Sequence, residues 1–199
     1  MLIIREAKKT DSSQIVAIHF SAFQDFFLTS LGGKFLKLYY ESVRDHQDGI
    51  LLVSELNGNV IGFCAGTLLS SGFNIRLIKS KMISYGMAAL ILLFSKPNSI
   101  LHLFRNMIKE EPSEGDDGNY SELLSIGVDP HVQRIGVGKA LLQNLEIEVK
   151  KRGSKRLSLT TDYSDNDGAL SFYKSLGYEL WYDFTTYPKR RMYRLIKEL

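Results

Sequence analysis

The sequence predicts an α/β (α+β) chain with a long helical insertion between its third and fourth strands. Three observations carry this. Strand-like and helix-like segments are interspersed along the chain instead of being segregated into blocks. The runs Ile50 to Glu55 and Val60 to Leu68 flank Asn57-Gly58, whose two residues tolerate positive φ and so mark a hairpin. Phe73 to Ile108 reads as helical throughout, divided by Pro97. At 199 residues the chain fits one domain, residues 1–199, with the insertion at about 73–111.

The elements follow in order. Leu2 to Glu6 reads as a short strand. Thr10-Asp11-Ser12-Ser13-Gln14 carries a helix-start signature, with Asp11 as N-cap and Gln14 three residues on, and Ile15, Ile18, Ala22 and Phe23 supply the apolar stripe. Gly32-Gly33 breaks the chain before a second helix, Lys34 to Arg44, with Phe35, Leu38 and Tyr39 on one face. Within the insertion, Met82 to Phe94 is apolar except for Ser84 and Gly86. It is well short of the ~20 residues that cross a bilayer, so it is expected to be a buried or interfacial helix.

Glu110 to Asn119, with Pro112, Gly115, Asp116, Asp117 and Gly118, reads as a loop. Glu122 to Val128 is a nearly continuous apolar strand ended by Asp129-Pro130. A helix from about Gly138 to Arg152 follows, with Leu141, Leu142, Leu145 and Val149 as its stripe and Gly153 as its stop. Arg156 to Thr161 is a strand, Asp167 to Leu176 a short helix capped by Gly177. Tyr178 to Tyr187 and Arg190 to Ile196 close the chain as a hairpin across Pro188-Lys189.

Composition excludes several classes. With 44% hydrophobic and 24% charged residues the chain is neither disordered nor fibrous. The lone Cys64 excludes an intramolecular disulfide framework and a cysteine zinc cluster, and suits an inert core thiol. A net charge of +3 gives no reason to expect a nucleic-acid partner. Met1 to Arg5 lacks the basic-then-apolar order of a signal peptide, so a cytoplasmic location is expected. His19, His46, His102 and His131 show no metal-ligand spacing, and no metal is expected. Asp162 to Gly168 resembles a calcium loop, but Tyr163 at the first ligand position and Lys174 at the twelfth exclude an EF-hand.

The chemistry lies between Glu122 and Tyr178. The strand Glu122-Leu123-Leu124-Ser125-Ile126-Gly127-Val128 leads into Gln133-Arg134-Ile135-Gly136-Val137-Gly138 and then a helix. Glycines at 136 and 138 leave no Cβ to block an anion, and the helix N-terminus adds about half a positive charge. Alone, such a loop is equally a plain structural turn. The dinucleotide fingerprint fails at Leu141, and the P-loop fails at Gln133 and Ala140. The pattern Gln/Arg-x-x-Gly-x-Gly/Ala fits, and on it the chain resembles the GNAT N-acetyltransferase superfamily. Val128 five positions before Gln133, then Asn166, Ala169 and Phe172-Tyr173-Lys174-Ser175-Leu176-Gly177-Tyr178, extend the resemblance over about residues 120–182.

The resemblance implies a GNAT fold, a central mixed and mostly antiparallel sheet with helices on both faces, and acetyl-CoA as cosubstrate. Backbone groups along Ile126, Gly127 and Val128 would pair with the pantetheine arm like an added strand. Amides of Gln133, Arg134, Ile135, Gly136, Val137, Gly138 and Lys139 would hold the pyrophosphate. Asn166 would contact the pantetheine arm or fix the strand end; capping the helix at Asp167 is its bland alternative. Tyr173 matches the general acid that protonates the departing CoA thiolate, against a mere packing role. Glu122, six positions before Val128, is the candidate base. Among Leu124, Ile126 and Val128 its pKa would be raised by desolvation. A solvated strand-end glutamate, with an ordered water as base, is the alternative.

The implied reaction is acetyl transfer to a primary amine of a small molecule, an amino sugar being one candidate, and the absence of a Gly-x-Ser-x-Gly nucleophile fits direct attack. A non-catalytic acyl-CoA-binding or regulatory module is the competing class, and Glu122 with Tyr173 favours the enzyme. A protein N-terminal or lysine acetyltransferase is a third, disfavoured because the insertion would crowd a peptide groove. Acceptor contacts are expected from Phe26, Phe27, Thr29 and Ser30, from Glu122, and from the Trp181 to Tyr187 strand. Between Phe73 and Glu111 six basic residues stand against two acidic ones, a local charge of +4. That charge suits a phosphorylated acceptor or an anionic membrane surface. A solvated or homodimer-forming helix pair is preferred over membrane contact.

Overall fold

The computed structural model describes residues 2–24, 26–95, 116–132, 135–186 and 189–199. In chain order these form β1 (Leu2–Glu6), α1 (Ser12–Ala22), α2 (Phe27–Ser30), α3 (Gly33–Asp45), β2 (Gly49–Leu56), β3 (Asn59–Thr67), α4 (Phe73–Ser80) and α5 (Met82–Ser95). The second half holds β4 (Ser121–Val128), α6 (Val137–Lys151), β5 (Arg156–Asp162), α7 (Asp167–Ser175), β6 (Glu179–Thr186) and β7 (Arg190–Glu198). The strands make one seven-stranded sheet, ordered β1-β2-β3-β4-β5-β7-β6. Neighbours are antiparallel except β4 and β5, which run parallel. Helices cover both faces, as expected.

Alternation along the central strands builds a core on each face. Leu51, Val53, Phe63 and Ala65 face α1 and α3, where Ile15, Leu36, Tyr40 and Val43 meet them. Leu52, Cys64, Leu157 and Leu159 face α6, which inserts Leu141, Leu142, Leu145 and Val149. Asn57 and Gly58 take φ of 51° and 82°, the two positive values that the β2–β3 hairpin needs. Cys64 is fully buried, and desolvation raises its thiol pKa above the ordinary range.

Several local expectations change. The Asp11 and Gln14 side chains do not form a capping box on α1. The Asp11 carboxylate instead accepts the Lys8 N–H at 2.7 Å and the Arg5 guanidinium at 2.7 Å, a charge-assisted partner that β1 brings beside it. Gln14 Oε1 accepts the Val60 N–H at 3.0 Å and so ties α1 to β3. The single-turn helix α2 was not expected. Within the insertion the described break is at Lys81, where α4 and α5 meet at 99°; the expected division at Pro97 and the helix beyond it lie outside the described residues. α5 is seated by Tyr85 and Leu92, yet most of its apolar residues are exposed, so of the two expectations, buried or interfacial, the buried one does not hold.

Gly127 shows how tightly the centre is packed. A Cβ there would stand 2.8 Å from Cε1 of Phe63 and 3.2 Å from Cε2 of Phe23, and Phe63 is fully buried. Gly127→Ala should therefore lower unfolding free energy by roughly 1–3 kcal/mol through overpacking. Chemical denaturation of both proteins tests this, and equal midpoints would show that the two rings give way freely.

Candidate active site

The site begins with a parting of strands. β4 pairs with β5 only through Ser121, Glu122 and Leu123 opposite Leu157, Ser158 and Leu159. β5 then continues along β7, while β4 continues along β3. The β3–β4 register slips where Ala65 faces Ser125 but Gly66 faces Leu123, leaving Leu124 as the extra residue of a bulge. Gly66 permits it: a Cβ there would meet Leu145 Cδ1 at 2.9 Å and the Glu122 carbonyl at 3.1 Å. Below the bulge the Asp129 N–H donates to the Ile61 carbonyl at 2.9 Å. By strand alternation Gly127 turns its amide to the same side, and Ile126 and Val128 turn theirs into the gap. Gly127 thus belongs to β3 and the Phe63 packing rather than to the gap edge.

The mouth of this gap meets the start of α6. Gly136 is the N-cap at φ 81°, with no side-chain cap, and nothing lies within 4 Å of where its Cβ would stand. The first helical bond runs from Ala140 N–H to the Gly136 carbonyl at 2.9 Å, so the N–H groups of Val137, Gly138 and Lys139 have no partner within the helix. Val137 is buried and anchors the turn, while Ile135 and Lys139 are exposed. Gln133 and Arg134 lie outside the described residues. Amides converging on open space at a helix N-terminus, beside an unpaired strand edge, fit a pyrophosphate with an extended amide arm.

Asn166 does not cap α7 with its side chain. Its Nδ2 donates to Thr161 Oγ1 and, at 3.2 Å, to the Asp162 carbonyl, fixing the end of β5. Tyr173 projects from α7 into the α6-side core, which Ile126 and Val128 also flank, with the rings of Phe172 and Tyr178 at 5.2 and 6.0 Å. Burial pushes its hydroxyl pKa above the ordinary 10, so the proton stays in place at any physiological pH.

On the other face of β4 opens a cavity of about 460 Å³, walled by the start of α4, Asp116 to Gly118, and Tyr182 and Phe184 of β6. Glu122 lines it. Ile126 and Val128 point to the opposite face, so the apolar surroundings expected for this carboxylate are replaced by polar ones. Glu122 Oε1 accepts from Arg194 Nη1 at 2.9 Å, and Oε2 accepts the Ser70 hydroxyl at 2.5 Å. Arg194, buried on β7, also lies 3.8 Å from Asp116 and stacks over Tyr120 and Phe184. Asp116 accepts the hydroxyls of Tyr120, at 2.9 Å, and Tyr182. Sequence reading missed Arg194, Ser70, Asp116 and Tyr120. The available signal was one arginine inside an otherwise apolar stretch of the last strand, Met192-Tyr193-Arg194-Leu195-Ile196.

Of α2, Leu28 lines the cavity. Phe27 packs against the α1–α3 core. The Thr29 hydroxyl donates to the Phe23 carbonyl, which leaves its oxygen to accept from His19 Nε2 at 3.2 Å. His19 Nδ1 is then the acceptor for the Tyr40 hydroxyl at 2.7 Å, and the Tyr40 oxygen accepts from Ser125 at 3.0 Å. Each donor in this chain has one acceptor, and it fastens the bulge strand to α1, α2 and α3.

Residues 15–178 match the model of the Acetyltransferase (GNAT) family, and the chain belongs to that family. It is 46% identical over 56 residues to the [ribosomal protein bS18]-alanine N-acetyltransferase of Escherichia coli K12, covering 28% of this chain and 37% of that protein. It is 35% identical over 74 residues to the mycothiol acetyltransferase of Kocuria rhizophila, covering 37% of this chain and 24% of that protein. The matched segments therefore span well under half of these relatives. The crystal structure of the E. coli ribosomal-protein-S18-alanine N-acetyltransferase superposes with a TM-score of 0.64 at 19% identity, over 100% of this chain and 94% of that one. The corresponding enzyme from Brucella melitensis gives 0.65 at 18%, over 99% of each chain. The family uses acetyl-CoA.

Burial lowers the His19 pKa from its ordinary 6.5 to about 4. Between those values the unfolded chain takes up a proton that the folded one refuses, so stability should fall as pH drops from 6.5 toward 4 and level off below. The lowered Asp11 and Asp45 carboxylates act only below their ordinary 3.8. Denaturation midpoints across that window should lose this slope in His19→Gln. An unchanged slope would assign it to other groups.

Proposed function

We propose that the chain transfers the acetyl group of acetyl-CoA to a primary amine of a small molecule by direct attack. The carrying observation is that one strand separates two complementary sites, an amide-lined gap running to the α6 N-terminus and a cavity lined by Glu122. Acetyl-CoA supplies the thioester whose carbonyl carbon the amine attacks. Ile126 and Val128 present backbone groups to its pantetheine arm, and the amides of Gly136 to Lys139, with those of Gln133 to Ile135, bind its pyrophosphate. Tyr173 keeps its proton through neutral pH and is the donor to the leaving sulfur. Glu122 takes the proton of the incoming amine, directly or through a water, while Arg194 and Ser70 fix the carboxylate.

A cavity of about 460 Å³ is the size of a small-molecule site. Tyr39, Tyr120 and Tyr182 offer it aromatic rings and Ser70 a hydroxyl, which suits an amino sugar. A second reading, acetylation of a protein α-amine, is favoured by the likeness to the ribosomal-protein alanine N-acetyltransferases. Release of free CoA across a panel of amino sugars, polyamines and alanine-initiated peptides tests the proposal. Turnover confined to the peptides would select the second reading, and no turnover with any amine would remove both.

Acetyl-CoA at about 100 times its Kd should stabilise the fold by ~2.7 kcal/mol; no melting shift under saturation would sink the cosubstrate assignment. Tyr173→Phe should lower kcat on the order of 10²-fold with little change in the KM for acetyl-CoA. Unchanged turnover, with chemistry rate-limiting, would reduce Tyr173 to packing. Glu122→Gln should move the rise of kcat/KM to higher pH, where free amine comes from solution; profiles superimposable on wild type would hand the base role to solvent.

A further inference from the structure

We propose that the outer face of α5 docks on an anionic lipid bilayer, the helix lying in the plane of the headgroups. α5 is apolar on both sides. Tyr85, Ala88 and Leu92 seat it on the α1–α3 core. Opposite them Ile83, Met87, Leu90 and Phe94, spaced as one helical stripe, are 79%, 58%, 58% and 82% exposed, and Met82 and Ile91 flank them. A helix lying against a core and water carries charges on its wet side, and α5 has no charged residue at all. Its 14 residues span about 21 Å, too little for a bilayer core of about 30 Å. It can lie on a membrane but not cross one.

Charge selects the occupant. No acidic residue occurs in the sequence between Glu55 and Glu110, and the acidic residues that the α3 side brings to α4, Asp45 and Asp48, are each held in an ion pair. α4, joined to α5 at 99°, brings the exposed Lys79, with Lys81 and Arg76 paired to Asp45 and Asp48. The next charged residue in the sequence after α5 is Lys96. A two-fold contact through this face would bring the exposed Lys79 of both copies to one interface with no acidic residue of α4 or α5 to meet them, whereas phosphate headgroups would compensate them. Six large apolar side chains facing outward do not fit the solvated helix pair expected from sequence; a dimer-forming pair would also cover them, and it is the competing outcome of the test.

Flotation of the full chain with vesicles tests this, using equal parts phosphatidylglycerol and phosphatidylcholine against phosphatidylcholine alone. The protein should float with the anionic vesicles only, less so as salt rises. Leu90→Glu with Phe94→Glu should reduce the bound fraction at least tenfold while keeping the wild-type melting temperature and its acetyl-CoA shift. Lys79→Glu, which leaves the apolar stripe intact, should weaken binding by a smaller factor. Absence of flotation with anionic vesicles, equal flotation with neutral ones, or full binding by the double variant would overturn the proposal. So would a wild-type dimer in sedimentation that does not float and that the double variant turns into a monomer, since a second copy would then own this face.

Discussion

The separation of β4 from β5 after Leu123 is the constraint on which the rest of the molecule depends. A central strand does not normally leave one edge of its backbone without a partner, because unpaired buried N–H and C=O groups are costly. Here the parallel pairing stops at three residue pairs, and β4 keeps only its β3 neighbour through Ser125 to Val128. The departure is built into the sequence: Leu124 adds a residue to β4, and Gly66 and Gly127 remove side chains where Leu145, Phe63 and Phe23 approach. The amides released into the gap can be satisfied by a strand-like ligand. The same bulge turns both Leu124 and Ser125 toward α3, so the Tyr40 hydroxyl can reach Ser125 and hold the strand in its displaced path.

The two faces of β4 then acquire opposite electrostatic characters. On the α6 side lie open amides, a helix N-terminus and a tyrosine kept protonated by burial. On the α3 side Arg194 is buried between Glu122 and Asp116, with three hydroxyls closing the remaining carboxylate lone pairs. Burying such charges is justified energetically only when each is paired, and a triad of this kind contributes geometry more than stability. Two carboxylates around one guanidinium leave the cavity net negative among its described neighbours. On the proposed reaction, an amine arriving as an ammonium ion would be attracted to this site before losing its proton.

How much of this was legible in the sequence follows the range of each interaction. The Asn57-Gly58 hairpin, the α6 stripe and the run from Glu122 to Tyr178 are local patterns, and their boundaries shift by no more than a residue or two in the structure. Asp11 and Gln14 misled because partners from β1 and β3 outcompete the helix amides for their side chains. The surroundings of Glu122 were illegible for the same reason. Arg194 reaches it only because β7 lies next to β5, and Ser70 only because the chain leaving β3 turns over β4. Thr29 reads as an acceptor contact in sequence, but His19 and Phe23 engage its hydroxyl. Composition identified α5 as apolar without telling which of its sides would find a partner.

The insertion joins the cavity to the outer surface through few and stiff parts. Arg76 of α4 donates to the Leu69 carbonyl at 2.7 Å and to that of Ser71, and pairs with Asp48, so the first turn of α4 is fastened beside Ser70. Ser70 in turn holds Glu122. At its other end α4 bends into α5, and Lys81 at the bend is tied to Asp45 of α3. The cavity wall formed by Phe73, Asn74 and Ile75 therefore belongs to the same helix that positions α5. An eight-residue helix is about 12 Å long, so the apolar outer face and the carboxylate of Glu122 are separated by one rigid element and one hydrogen bond at its near end. A helix that served only to wall the cavity would carry charge on its outer side; here the wall continues into α5, a second surface with no charged residue of its own.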